Sequence, residues 1–133
     1  MQLSQHFSLE ELTFSEYATR HHIDNRPDKV ILDRLIITAD KMEGVRTICG
    51  NRPVSVSSGY RAKMVNAAVG GASTSAHPLG YAVDFRVFGL SLAETISLIK
   101  ASKLQYDQLI KEFDRWVHIS FDPRNRRETF EIN

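Results

Sequence analysis

The chain has 133 residues, which suits one domain. An apolar share of 42% can fill a core, and a charged share of 25% is ordinary for a globular protein. The formal net charge of +1 gives no global electrostatic case for nucleic acid or anionic lipid, and the lone Cys49 excludes an intrachain disulfide and a Cys-rich structural zinc site.

Met1 to His6 has neither a basic start nor an apolar core of the signal-peptide kind. No apolar run is long enough to span a bilayer. The expectation is a chain made in the cytoplasm without a signal peptide, which another component must deliver if its substrate lies outside. No repeat, low-complexity segment or linker divides the sequence, so residues 1–133 are read as one domain. His6 is read as a surface or packing histidine, with a fourth metal-ligand role as its alternative.

Ser8-Leu9-Glu10-Glu11 is a capping box and predicts a short helix. Asn25-Arg26-Pro27 predicts the start of a second helix, with Asn25 as its cap. Val30, Ile31, Leu35, Thr38, Met42, Val45 and Cys49 recur at helical spacing and predict its buried stripe. Gly50-Asn51 ends it. Pro53 to Ser58 alternates as a strand, and 62–69 predicts a short helix before Gly70-Gly71. The small, polar stretch Ala72 to Ala76 suits a loop that closely approaches a site.

Tyr81 to Val87 alternates again. Tyr81, Val83, Phe85 and Val87 share one face, and Ala82, Asp84 and Arg86 share the other. Ser91-Leu92-Ala93-Glu94 is a second capping box, opening a helix with Leu92, Ile96 and Ile99 inward and Leu98 as a further inward candidate. Gln108–Phe113 and Trp116–Phe121 predict two strands of a hairpin. The tail after Pro123, with Arg124, Arg126 and Arg127, is read as solvated. It lacks the interleaved aromatics of a nucleic-acid patch.

Two histidines and one carboxylate carry the chemistry. His77 sits in a loop of small residues closed by Gly80, Asp84 faces away from the apolar side of its strand, and His118 lies among Trp116, Ile119 and Phe121. An unpaired imidazolium there would be costly to bury. Together they make a three-ligand zinc site with an open position, while a surface carboxylate and a hydrogen-bonded core histidine are the plain alternatives. Glu112 and Asp114 are the candidate proton shuttles. A three-residue turn would set Glu112 beside Trp116 on the ligand face, and a two-residue turn would set it opposite. Arg61 could hold a carboxylate or an oxyanion, or sit in a surface ion pair. Ser75 could donate to substrate or stabilise its own loop.

Ser58-Gly59-Tyr60-Arg61, Asn66 with Val69-Gly70-Gly71-Ala72, Ser75-Ala76-His77, Gly80-x-Ala82-x-Asp84 and Trp116-Val117-His118-Ile119 resemble, in order, the zinc D-Ala-D-Ala carboxypeptidase and L-alanyl-D-glutamate peptidase family. The N-terminal part resembles its small phage-borne members. The resemblance implies a Hedgehog/DD-peptidase-like α+β domain: a small, mainly antiparallel sheet flanked by helices, with a zinc cleft over one face. It implies Zn²⁺ on His77, Asp84 and His118, with Arg61 and Ser75 contacting substrate. Many members keep a catalytic acid three residues before the last histidine. Here that position is Arg115, and Glu112 looks like its displaced equivalent, with Asp114 as the fallback.

The function implied is hydrolysis of amide bonds in peptidoglycan stem peptides, by a carboxypeptidase or an endolysin-type endopeptidase. The expected setting is a phage or prophage lysis protein, monomeric, released by a holin-like partner. Neither nucleic acid nor membrane insertion is expected. The alternative is a non-catalytic zinc module that binds wall peptide or a protein partner.

Overall fold

The computed structural model describes residues 1–133. Five helices are present: α1 (Leu9–Thr13), α2 (Glu16–Arg20), α3 (Lys29–Ile48), α4 (Lys63–Ala68) and α5 (Leu92–Ala101). The strands are β1 (Val54–Ser58), β2 (Ala82–Val87), β3 (Gln108–Glu112), β4 (Trp116–Ser120) and β5 (Glu128–Ile132), with a 3₁₀ turn at His77–Leu79. No helix is long and apolar enough to cross a membrane.

Both capping boxes form as their local sequence dictates. Ser8 and Ser91 each accept from the amide three residues on, and Glu11 and Glu94 reach back. The cap of α3 differs from the expected one. Asp28 accepts from the Ile31 amide, so Asp28, not Asn25, starts the helix. Val30 is also misplaced in the predicted stripe. It is exposed, while Leu35, Thr38, Ala39, Met42 and Val45 face inward.

The strands form one sheet in the order β1-β2-β4-β3-β5. Period-two alternation divides it into two faces. Val83, Phe85, Val87, Leu109, Val117 and Ile119 join Leu12, Leu35, Ala39, Met42, Val45 and Ile99 in one buried cluster. Each large apolar side chain fully buried there contributes about 1.5–3 kcal/mol. The opposite face carries Asp84, His118, Ile110 and Glu112.

The sheet is mixed, which corrects the expectation of a mainly antiparallel one. β1-β2, β2-β4 and β4-β3 are antiparallel, but β5 runs parallel to β3. The cause lies in the tail. After β4 the chain returns to the start of β3, where the amides of Arg127 and Glu128 donate to the carbonyls of Tyr106 and Asp107. It then leaves in the same direction as β3. The arginines read as solvated anchor this return. Arg126 grips the buried Asp107 with two guanidinium bonds of 2.8 Å, and Arg127 lies 4.5 Å over the Tyr106 ring. Arg126 holds the Asp107 carboxyl below the usual carboxylate range.

The β3-β4 hairpin takes the three-residue turn. Glu112 pairs with Trp116, and Phe113, Asp114 and Arg115 make the loop. Phe113 and Asp114 both take left-handed φ, at 57° and 53°, as a primed hairpin turn requires. The Arg115 amide closes it onto the Glu112 carbonyl at 3.0 Å.

Candidate metal centre and its cleft

Asp84 and His118 are direct cross-strand partners on β2 and β4. Such pairs hold their Cβ atoms about 4.5–5.5 Å apart. His77 arrives from the 3₁₀ turn. Gly80 ends that turn in the left-handed region (φ 82°), which a residue without Cβ adopts freely. α3 grips the turn from below, with the Thr38 hydroxyl donating to Gly80 O at 2.8 Å and Arg34 to Leu79 O at 3.2 Å.

The three heads converge. His118 Nδ1 lies 2.9 Å and His77 Nε2 3.2 Å from the same oxygen, Asp84 Oδ1. One donor atom from each residue falls within 4.8 Å of the others. All three residues are buried, with 2%, 3% and 7% exposure for His77, Asp84 and His118. Tetrahedral zinc with bonds of about 2.0–2.2 Å spaces its ligands about 3.4 Å apart, so this donor set is near the size required.

Tautomer logic strengthens the fit. His77 Nδ1 lies 2.6 Å from the Gly59 carbonyl, which has no proton to give. Nδ1 therefore carries the hydrogen, and a neutral ring aims its Nε2 lone pair at a carboxylate oxygen. That contact is repulsive unless a second proton or a cation lies between them. A backbone carbonyl on the distal nitrogen is the usual outer-shell partner of a metal-bound histidine. Burial alone would push the Asp84 carboxyl up. The facing imidazoles, when they carry a second proton, outweigh it through their charge and hydrogen bonds and hold the group below the usual carboxylate range.

The cluster opens into a cleft of about 710 Å³ that Arg61, Ser75, Glu112, Trp116, Phe130 and Ile132 also line. Arg61 has no hydrogen-bond partner for its buried Nε. Burial lowers its pKa, opposed by the charges of Asp84 and Glu112. Glu112 shares the ligand face and stands diagonally from His118 across β3-β4. Such diagonals span about 7–8 Å, within reach of a long side chain. Its Oε1 accepts from Trp116 Nε1 at 2.9 Å. The Ser75 hydroxyl accepts from the His77 amide at 3.2 Å, so it supports the loop while lining the cleft.

Two candidates lie elsewhere. Asp114 is exposed in the turn and pairs with Lys111 at 2.8 Å. His6 pairs with Glu43 at 2.7 Å and is not part of the cluster.

The sequence reading missed two contributions. Asn25 bridges the segments flanking Arg61: its amide donates to Thr13 O (2.8 Å) and Tyr60 O (3.2 Å), and its carbonyl accepts from Ala62 N (2.8 Å). β5 adds Phe130 and Ile132 to the cleft floor. Only tertiary pairing reveals either.

Gly59 supports both sides of the site. A Cβ there would sit 2.4 Å from the Leu12 carbonyl oxygen, against backbone held by the Tyr60 amide. Gly59→Ala is expected to destabilise the fold by about 1–3 kcal/mol, read as a lowered urea midpoint at unchanged slope.

Residues 5–120 match the family model described as peptidase M15. Over 49 residues the chain is 39% identical to a zinc D-Ala-D-Ala carboxypeptidase of Streptomyces albus G, a stretch covering 37% of this chain and 19% of that protein.

Proposed function

Because the chain belongs to the peptidase M15 family, we propose that it is a zinc metallopeptidase that hydrolyses amide bonds in peptidoglycan stem peptides. The observation that carries this reading is the buried His77-Asp84-His118 trio, whose donor atoms converge at the base of a cleft. His77 through Nε2, His118 through Nδ1 and a carboxylate oxygen of Asp84 would hold Zn²⁺. When bound, zinc supplies a Lewis acid that polarises a carbonyl and lowers the pKa of water.

The remaining work falls to this chain's own groups. Glu112 takes the proton from the attacking water and passes it to the leaving nitrogen. The bond from Trp116 fixes the Glu112 carboxylate and leaves its remaining lone pairs for that water. Arg61 holds a substrate carboxylate or the developing oxyanion, and either would satisfy its orphaned Nε. Ser75 accepts the His77 amide with one lone pair, and its hydroxyl proton is available to the peptide.

Arg61→Ala is expected to raise KM for a stem peptide by about 10–100-fold, the equivalent of a lost charge-assisted hydrogen bond. Arg61→Lys should recover little of it, because an ammonium lacks the planar fork. Steady-state kinetics on synthetic stem peptide gives the split between KM and kcat.

Mass spectrometry of purified muropeptides, digested with and without a chelator, tests the proposal. Chelator-sensitive release of one defined fragment supports it. Intact muropeptides in both arms would refute it. A phage or prophage origin, with release by a holin-like partner, belongs to the same proposal and is carried by the resemblance alone. Arg115, at the position where many relatives place an acid, favours a second reading: a zinc module that binds wall peptide without cutting it. Zinc and peptide binding with no product would select that reading.

A further inference from the structure

We propose that β5 supplies a distinct peptide subsite, in which Phe130 and Ile132 receive an uncharged side chain about three residues from the cleaved bond. The inference rests on the hydrolase reading above and deepens it.

Strand register is the first support. Asp84 pairs with His118, His118 with Ile110, and Ile110 with Phe130. These four residues form one row across the cleft face. Neighbouring strands lie about 4.8 Å apart, so Phe130 sits about 10 Å beyond His118. That is the reach of about three extended residues. In the adjoining row Trp116 pairs with Glu112 and Glu112 with Ile132, so the proposed proton shuttle also borders β5.

The second support is chemical. The tail is polar from Asp122 to Thr129 apart from Pro123, yet it places two large apolar side chains on the cleft floor. Phe130 remains 44% and Ile132 38% exposed, and Phe113 at the rim is 49% exposed. The strand is also firmly set, since the Arg126–Asp107 fork and the Arg127–Tyr106 stack fix where it begins. A fixed apolar floor suits recognition better than a frayed tail does.

The third support is the occupant. One cleft contains both the metal-binding trio and β5, so a peptide centred on the trio and extended across the sheet lies on Phe130. The family match ends at residue 120, before β5 begins. The subsite is therefore read from this chain's own residues.

The test uses the zinc-loaded full chain and a nested set of synthetic peptides. The set is trimmed from either end of the stem peptide and retains the bond that the wild type cleaves. Restoring the residue that reaches β5 should raise wild-type kcat/KM by about tenfold or more. Phe130→Ala should lose that gain while cleaving the shortest peptide normally, and Phe130→Leu should keep most of it. The partly exposed ring makes a folding failure unexpected, and thermal melting checks this. Trp116, the sole tryptophan and a lining residue, reports binding through its fluorescence.

Cleavage with the same length dependence in wild type and Phe130→Ala overturns the subsite and leaves the hydrolase reading intact. Binding of the longer peptide that Phe130→Ala weakens about tenfold, without cleavage by wild type, does the reverse. A Phe130→Ala effect confined to self-association also overturns the subsite.

Discussion

Replacing His77 by alanine is expected to abolish stoichiometric zinc binding and, with it, all measurable hydrolysis. His77 is 2% exposed, and its Nε2 is one of the converging donors. Loss of an outer-shell partner typically costs about 10–100-fold in metal affinity. Loss of a ligand itself should cost more, because two donors cannot close a catalytic site. The variant also leaves Asp84 buried with one imidazole partner instead of two. A lowered melting temperature is therefore expected, and circular dichroism below the melt must show an intact fold. His6→Ala is the matched control. His6 pairs with Glu43 outside the cluster, so its loss should leave zinc content unchanged. Equal loss of zinc in both variants would mean that the histidines act through folding rather than coordination.

Glu112→Gln should separate metal from chemistry. The substitution keeps the size of the side chain and an oxygen able to accept from Trp116 Nε1. Zinc binding should therefore persist. Turnover should fall by about 10²–10⁴-fold, the usual contribution of a general acid-base group. At 1.36 kcal/mol per decade, that is about 3–5 kcal/mol of barrier. The loss should appear in kcat more than in KM, because the proton moves in the transition state. Asp114→Asn should leave turnover within about twofold, since this exposed turn residue pairs with Lys111 instead of entering the cleft. Full activity in Glu112→Gln with an inactive Asp114→Asn would reassign the proton shuttle.

What the sequence reveals tracks how local the physics is. The capping boxes at Ser8 and Ser91 depend on four consecutive residues, and both form. Alternation along β2 sends Asp84 away from Val83 and Phe85, and the chain delivers it to the face shared by His118. The start of α3 was less legible. Asn25 and Asp28 are both good caps, and only tertiary contacts direct Asn25 to Thr13, Tyr60 and Ala62. The hairpin turn lay further beyond reach. Nothing in Phe113-Asp114 announces two left-handed residues in a row, yet that turn places Glu112 on the ligand face.

The tail shows the limit most clearly. Its arginines stay exposed, as expected, but they also hold partners that are remote in sequence. Arg126 needs Asp107, and Arg127 needs Tyr106 and the Leu104 and Lys100 carbonyls. Once these contacts form, β5 docks parallel to β3 and changes both the sheet and the cleft floor. A charge pattern read without its partners could not foresee that result.

The decisive measurement is a crystal structure of the zinc-reconstituted protein, with anomalous scattering recorded across the zinc absorption edge. One strong peak is expected within bonding distance of His77 Nε2, His118 Nδ1 and an Asp84 carboxylate oxygen, with a further coordination position facing the cleft. A peak at any other cluster, or fully loaded protein showing these three side chains without an ion between them, would contradict it.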